Sequence, residues 1–220
     1  MIVFGILGHA KAGKDTCVDY VSRTIDMKTL NGDFAGKAIS ECTQNKVAIA
    51  DGIRAVAKAI GFSEYQLTSQ TLKEKVVPEF GISPRQAMQG IGSAFRNTFG
   101  PDFWLNSFAG RINPYKSEDH GTIIYVADLR LPHEVEWLKK HYDATIIKIE
   151  RPSLDLSSQI YQHHTEKYVD LIPYDRLVVN DGSLKDLYRK LNKEIDYIVE
   201  VCEKKFKERY EKNHKDKIEK

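Results

Sequence analysis

A chain of 220 residues that is 41% hydrophobic is long enough to bury one sizeable core, so a single small α/β domain is the natural expectation. Thirty-three Lys and Arg against 31 Asp and Glu leave no broad basic field, which argues against a polymeric nucleic acid as partner. Cys17, Cys42 and Cys202 share no CxxC spacing, no apolar run reaches about 18 residues, and an apolar strand pattern starts at once after Met1. These features disfavour a disulfide framework, a zinc site, a membrane span and a leader. A soluble, cytoplasmic protein is expected.

Ile2–Leu7 (IVFGIL) is a nearly continuous apolar run, the pattern of a parallel strand buried on both faces, and Gly8 ends it. A helix should begin near Gly13 and run through Val18, Val21 and Ile25. Residues 47–50 (VAIA) are the candidate second strand, 122–127 (TIIYVA) the third, 145–149 (TIIKI) the fourth and 177–179 the fifth. Between strands two and three, the segments 52–60, 63–76, 84–97 and 102–112 read as helices punctuated by Gly and Pro. A closing helix from Ser183 carries Leu184, Leu187, Leu191, Ile195 and Ile198, and its pattern fades after Cys202. The last 18 residues hold eight Lys/Arg against five Asp/Glu and read as a solvated, fraying helix end. Strands alternating with helices imply right-handed crossovers and a parallel sheet, with ligands at the carboxyl ends of the strands. The expected organisation is a core of residues 1–51 and 113–202, a helical acceptor-binding region 52–112, a lid within 151–172 and a charged tail 203–220.

Gly8, His9, Ala10, Lys11, Ala12, Gly13 and Lys14 match the G-x-x-x-x-G-K spacing between a strand and a helix, the context that gives the motif its meaning. Glycines at positions 8 and 13 let the backbone curl around phosphates, the helix N-terminus adds favourable dipole charge, and Lys14 bridges the outer phosphates. ATP and Mg2+ are the implied donor and metal. Asp15 stands where a Ser or Thr is usual, with Thr16 one position later. A carboxylate offers magnesium a hard oxygen, so Asp15, together with Thr16, is the expected metal-binding element, directly or through water.

The stretch IIYVADLRLPHEVEW ends a strand in Asp128, followed by Arg130 and, inside a new helix, Glu134. Asp128 reads as a carboxylate beside magnesium or the acceptor, or as a plain strand cap. Arg130 reads as a cation for a transferring phosphoryl group, or as the surface partner of Glu134 at i+4. In the helical insertion Arg85, Gln89 and Arg96 follow Pro84 on one helix and are either acceptor ligands or solvated. Trp104, with Phe103, stacks on a base or belongs to the core. His163, His164 and Glu166 lack a third metal ligand and fit a lid following Arg151 better than a zinc site.

Together, GHAKAGKDT, SPRQAMQGIGSAFR with PDFW, DLRLPHE, HHTE and VVNDGSLKDLYRKL resemble, in order, the blocks of the bacteriophage deoxynucleoside monophosphate kinases, over about residues 2–191. GKDT is shared with animal phosphomevalonate kinase, whereas PRQ-x2-Q-x-(I/L)-G with D-x-R-x-P-x-E is more specific. The resemblance implies a P-loop kinase three-layer sandwich with a five-stranded parallel sheet in the order 2-3-1-4-5, a helical acceptor region and a lid. It implies ATP-dependent phosphorylation of a deoxynucleoside monophosphate, in a host cytoplasm if the chain is viral. By matching positions, Lys14, Asp15 and Arg130 would be catalytic, residues 8–16 would hold ATP and magnesium, and Arg151 would begin the lid. Asn180 and Gly182 would approach the adenine, Arg85, Gln89 and Arg96 would fall in the acceptor region, and Asp128 and Arg130 would flank the transferred phosphate; Trp104 is counted among the substrate-binding residues for its stacking reading. His133 stands where the family usually has Asn and Ser93 where it often has Thr; both keep hydrogen-bonding ability. A homodimer is left open. The rival readings are another small-molecule kinase of the superfamily, acting on dephospho-coenzyme A or phosphomevalonate, and a nucleotide-binding regulatory module.

Overall fold

A strand with apolar residues at every position is stable only where both of its faces are covered. The computed structural model, which describes residues 1–116, 121–157 and 164–218, places such a strand at its centre. Strand β1 (Ile2–Leu7) is buried throughout and lies between β3 (Thr122–Leu129) and β4 (Thr145–Glu150). Strands β2 (Thr43–Lys46) and β5 (Arg176–Val179) form the edges, giving an all-parallel sheet in the order β2-β3-β1-β4-β5. This is the P-loop kinase α/β sandwich.

Helix α1 (Lys14–Leu30) and the long closing helix α7 (Leu184–Ile218) share one core with Ile2, Phe4 and Ile6 on one face of the sheet. Residues Leu187, Leu191, Ile195, Ile198 and Cys202 of α7 recur every three or four positions and are all buried there. The alternate residues Val3 and Leu7 point to the opposite face, where α6 (Pro132–Tyr142) packs on β1. Each fully buried Ile or Leu contributes about 1.5–3 kcal/mol, so the sandwich is held mainly by these two layers. Unit one comprises Met1–Lys46 and Tyr115–Lys220.

Unit two, Val47–Pro114, is helical: α2 (Asp51–Ala59), α3 (Glu64–Thr68), α4 (Pro84–Phe99) and α5 (Phe103–Ile112). Ala57, Phe62, Leu67, Val77 and Ala87 form its own small core. Ser63 with Gln66, and Ser83 with Gln86, build reciprocal capping boxes at the starts of α3 and α4, and Pro84 supplies the first residue of α4.

Three expectations are corrected. The second strand is Thr43–Lys46, not residues 47–50. An edge strand needs no apolar run: β2 is polar, and Tyr125 secures it by donating its hydroxyl to Gln44 Oε1 at 2.8 Å. Ile49, though buried, lies in a turn before α2. The helix expected over 63–76 stops at Thr68, where Ser69 turns extended; its hydroxyl then accepts the Leu72 N–H and starts a short 3-10 turn, the competition hydroxyl residues offer to helical backbone. Finally, Leu184, expected on the apolar stripe of the closing helix, is exposed at the start of α7, which runs on as a helix to Ile218.

Candidate active site

The loop between β1 and α1 depends on two glycines. Gly8 has φ +152°, and a Cβ there would lie 2.4 Å from the Ile149 carbonyl oxygen. Gly13 caps α1 in a left-handed conformation (φ 100°, ψ 16°) that costs an ordinary residue about 1 kcal/mol or more. Lys11 is also left-handed, at φ 61°. The loop curls round its own Lys14, whose ammonium donates to the carbonyls of Gly8 and His9, both at 2.7 Å. Asn180, just beyond β5, braces the far side by donating Nδ2–H to the Ala12 carbonyl at 3.0 Å, and Arg151 Nη1 reaches the Lys11 carbonyl at 3.4 Å. Gly182 is exposed in the turn before α7.

Lys14 is 7% exposed, and burial pulls its pKa from 10.5 down to about 8; the Arg130 cation adds to this, while Glu166, Asp15 and Asp128 oppose it. Asp128 sits at the end of β3, where the register slips from Gly5↔Val126 to Leu7↔Leu129, a bulge of the kind that re-aims side chains. Arg130 follows on the connection to α6. Its backbone N–H and that of Leu131 both donate to the buried Glu134 carboxylate, at 2.9 and 3.0 Å. The surface ion pair between Arg130 and Glu134 is thus replaced by a backbone cap, and the guanidinium Nη1 donates to Glu166 Oε1 at 2.8 Å.

Glu166 sits in a 3-10 helix (His164–Leu171) and its side chain is 1% exposed. Its Oε2 accepts the Ala10 N–H at 3.1 Å and lies 3.0 Å from His9 Nδ1. On the other side of the imidazole, Nε2 is 3.0 Å from Asp170 Oδ2, and Asp170 also accepts from the buried Lys148 ammonium at 2.8 Å. Lys148 and His9 hold the Asp170 carboxyl below its usual range against the opposing effect of burial, which is the largest single influence on it. His163 lies outside the described residues.

Asp15 and Thr16 begin α1 on its exposed side. The Asp15 carboxylate meets the Lys46 ammonium at 2.7 Å, and the same ammonium is 3.2 Å from Asp19. Among the described residues no group of three or more His, Cys, Asp or Glu is arranged to hold a metal. The exposed Asp15 carboxylate at the loop-to-helix junction is the kind of hard oxygen a divalent cation takes.

The residues on α4 belong to unit two. Arg85, Gln89 and Arg96, spaced by four and then seven positions, fall on one face of the helix. Gln89 is exposed, and Arg85 Nε donates to Glu74 Oε1 at 2.6 Å. Trp104 is a core residue, 3% exposed, with its indole N–H on the Gly92 carbonyl at 3.1 Å and its ring against Phe95 and Phe103.

The structure therefore gathers Lys14, Asp15, Asp128, Arg130, Arg151 and Asn180 around one loop. Sequence reasoning missed Lys46, Lys148 and Asp170, and gave Glu134 and Glu166 other settings. Lys46 carried a signal: it is the carboxyl end of β2, visible once that strand is moved four residues upstream. Asp170 carried none, being 161 residues from its partner His9.

Residues 34–191 match the family described as deoxynucleotide monophosphate kinase. A stretch of 112 residues is 31% identical to the deoxynucleotide monophosphate kinase of Escherichia phage RB69, covering 50% of this chain and 44% of that protein, so the similarity spans less than half of the relative's length. The family span includes α4, Arg130, Glu166 and Asn180, while the glycine-rich loop lies before it and stands on its own spacing and geometry. On these grounds the chain belongs to the deoxynucleotide monophosphate kinase family.

Proposed function

We propose that the protein transfers the γ-phosphoryl group of ATP to the phosphate of a deoxynucleoside monophosphate, giving the diphosphate and ADP. The observation that carries this reading is the placing of two cations, Lys14 and Arg130, beside a glycine-rich loop, where burial and Arg130 both make the Lys14 charge costly. A transferring phosphoryl group is an anion that both cations can neutralise. The acceptor phosphate is ionised near neutral pH, so no side chain need act as nucleophile or general base. The work is positioning and charge neutralisation.

In this reading the loop 8–16 holds the donor phosphates, Lys14 leaves its two carbonyl partners to bridge them, and Asp15 with Thr16 holds magnesium. Magnesium when bound neutralises the phosphate chain. Arg130 stabilises the charge that develops on the transferred group, and Asp128 orients the acceptor or a metal-bound water. Arg151 belongs to a lid over the donor, Asn180 and Gly182 border the adenine, and the α4 face of Arg85, Gln89 and Arg96 receives the acceptor. The test is an ADP-coupled assay of the purified protein with ATP and, in turn, every deoxy- and ribonucleoside monophosphate, dephospho-coenzyme A, phosphomevalonate and no acceptor. Turnover with at least one deoxynucleotide is expected. Turnover only with dephospho-coenzyme A or phosphomevalonate, or ATP hydrolysis with no acceptor, would replace this reading with one of its rivals.

A further inference from the structure

A buried carboxylate touching a glycine-rich loop is an unexpected neighbour for a site built to receive phosphates, because two anions in a poorly solvated space repel. Glu166 is that carboxylate. One oxygen is taken by Arg130 Nη1, and the other by the Ala10 N–H and the His9 imidazole. Its charge is thus met by a guanidinium and two loop donors. The Arg130 side chain remains about one-third exposed, and among the described residues Glu166 is the acceptor its guanidinium meets. One edge of the fork is thereby fixed.

Glu166 falls inside the stretch expected to form a lid, yet its contacts do not leave it free to swing away, so any lid motion would be confined to residues before the helix that bears it. That helix is seated by the buried Val169, by the buried Ile172 just past its end, and by Asp170, which bridges Lys148 on β4 and His9 in the loop. Residues 166 and 170 of this one short helix grip both nitrogens of the same imidazole, so the helix and the loop are joined at two points. Displacing Glu166 with a ligand would mean unseating two apolar anchors and an ion pair at once.

We propose that Glu166 is a positioning residue: it brackets Arg130 to the loop residues His9 and Ala10, holding the guanidinium at a fixed distance from the donor phosphates in the free and the bound enzyme alike. The proposal rests on the phosphotransfer reading above and adds to it a residue that touches neither substrate. In this arrangement Glu166 acts on the rate chiefly through Arg130.

The test is a double-mutant cycle of Glu166→Gln and Arg130→Ala, read by kcat, by KM for both substrates and by calorimetric binding of ADP. Glu166→Gln should lower kcat by about tenfold to a hundredfold, the scale of a misplaced catalytic group, with ADP affinity within about threefold of the parent. In the Arg130→Ala background the same change should add less than about threefold. Glu166→Asp, which keeps the charge on a shorter arm, should recover part of kcat. If Glu166→Gln yields no soluble protein, the same cycle run with Glu166→Asp decides by the same criterion. Full multiplicative loss in the Arg130→Ala background overturns the proposal, and so does tighter ADP binding with unchanged kcat, which would make Glu166 a competitor of phosphate. An unmutated enzyme inactive on every nucleotide acceptor sinks the phosphotransfer reading; an active one with either of those two patterns sinks the bracket alone.

Discussion

The two units treat charge in opposite ways. Around the glycine-rich loop, Lys14, Lys148, Glu134 and Glu166 are all buried, and each is tied to partners distant in the chain or to backbone groups. In the helical unit the charged pairs lie nearer the surface and close in sequence: Arg54 with Asp51, Lys58 with Glu64, Arg85 with Glu74. Buried, cross-linked charges fix each other's geometry, whereas exposed pairs contribute about 0–1 kcal/mol and are easily rearranged by an incoming ligand. On the proposed reading, the first unit holds a reaction geometry and the second adapts to what it receives.

The largest effect that would test this contrast is at Lys14. Lys14→Ala should reduce turnover about a thousandfold or more, with a thermal melt shifted by only a few degrees, since the ammonium lost was itself costly to bury. A variant keeping a tenth of the parental rate would mean that the buried network serves stability rather than chemistry. Next is the adaptable side: Arg96→Ala should raise KM for the monophosphate about tenfold, the loss of one charge-assisted hydrogen bond, and leave KM for ATP within about twofold. A change confined to ATP would move the α4 face to the donor.

Protonation sharpens the same contrast at smaller amplitude. The folded-state pKa of Lys14 is about 8 against an ordinary 10.5, so the unfolded chain binds more protons in that window. The cost of burying the charge is therefore full below about pH 8 and is relieved as pH rises towards 10.5. Bound phosphates favour the ammonium. Binding of ADP should accordingly take up a proton above about pH 8 and weaken by up to about tenfold per pH unit there, measurable by calorimetry in buffers of different ionisation enthalpy. Loss of this proton uptake in Lys14→Arg would assign it to Lys14; its persistence would assign it elsewhere. The smallest effect concerns Lys46, whose ammonium stands on the carboxylate proposed for magnesium. Lys46→Met should lower the magnesium concentration for half-maximal activity a few-fold, and a rise instead would make Lys46 a ligand-side cation.

What the sequence made legible was local. The apolar β1, the spacing of the loop, and Pro84 after Ser83 at the start of α4 are written in neighbouring residues, and the structure has them where those patterns indicate. Strand β2 was not legible, because an edge strand with a polar sequence gives no apolar signal, and the run at 47–50 imitated one. The bracket was not legible either. Glu166 and Asp170 look like two acids in a polar stretch until the fold brings them to a histidine more than 150 positions earlier.

That separation has a consequence for how the chain is made. The central strand β1 and its loop precede the other elements in chain order, yet both strands that flank β1 begin at residue 122 or later, and the loop's braces at Arg130, Glu166, Asp170 and Asn180 come later still. At ribosomal rates the interval is on the order of ten seconds or more. During that time an apolar strand waits without neighbours, and contacts of such range close slowly. Nucleotide binding by a nascent chain should therefore switch on late and abruptly, after residue 180 has emerged, rather than grow with length.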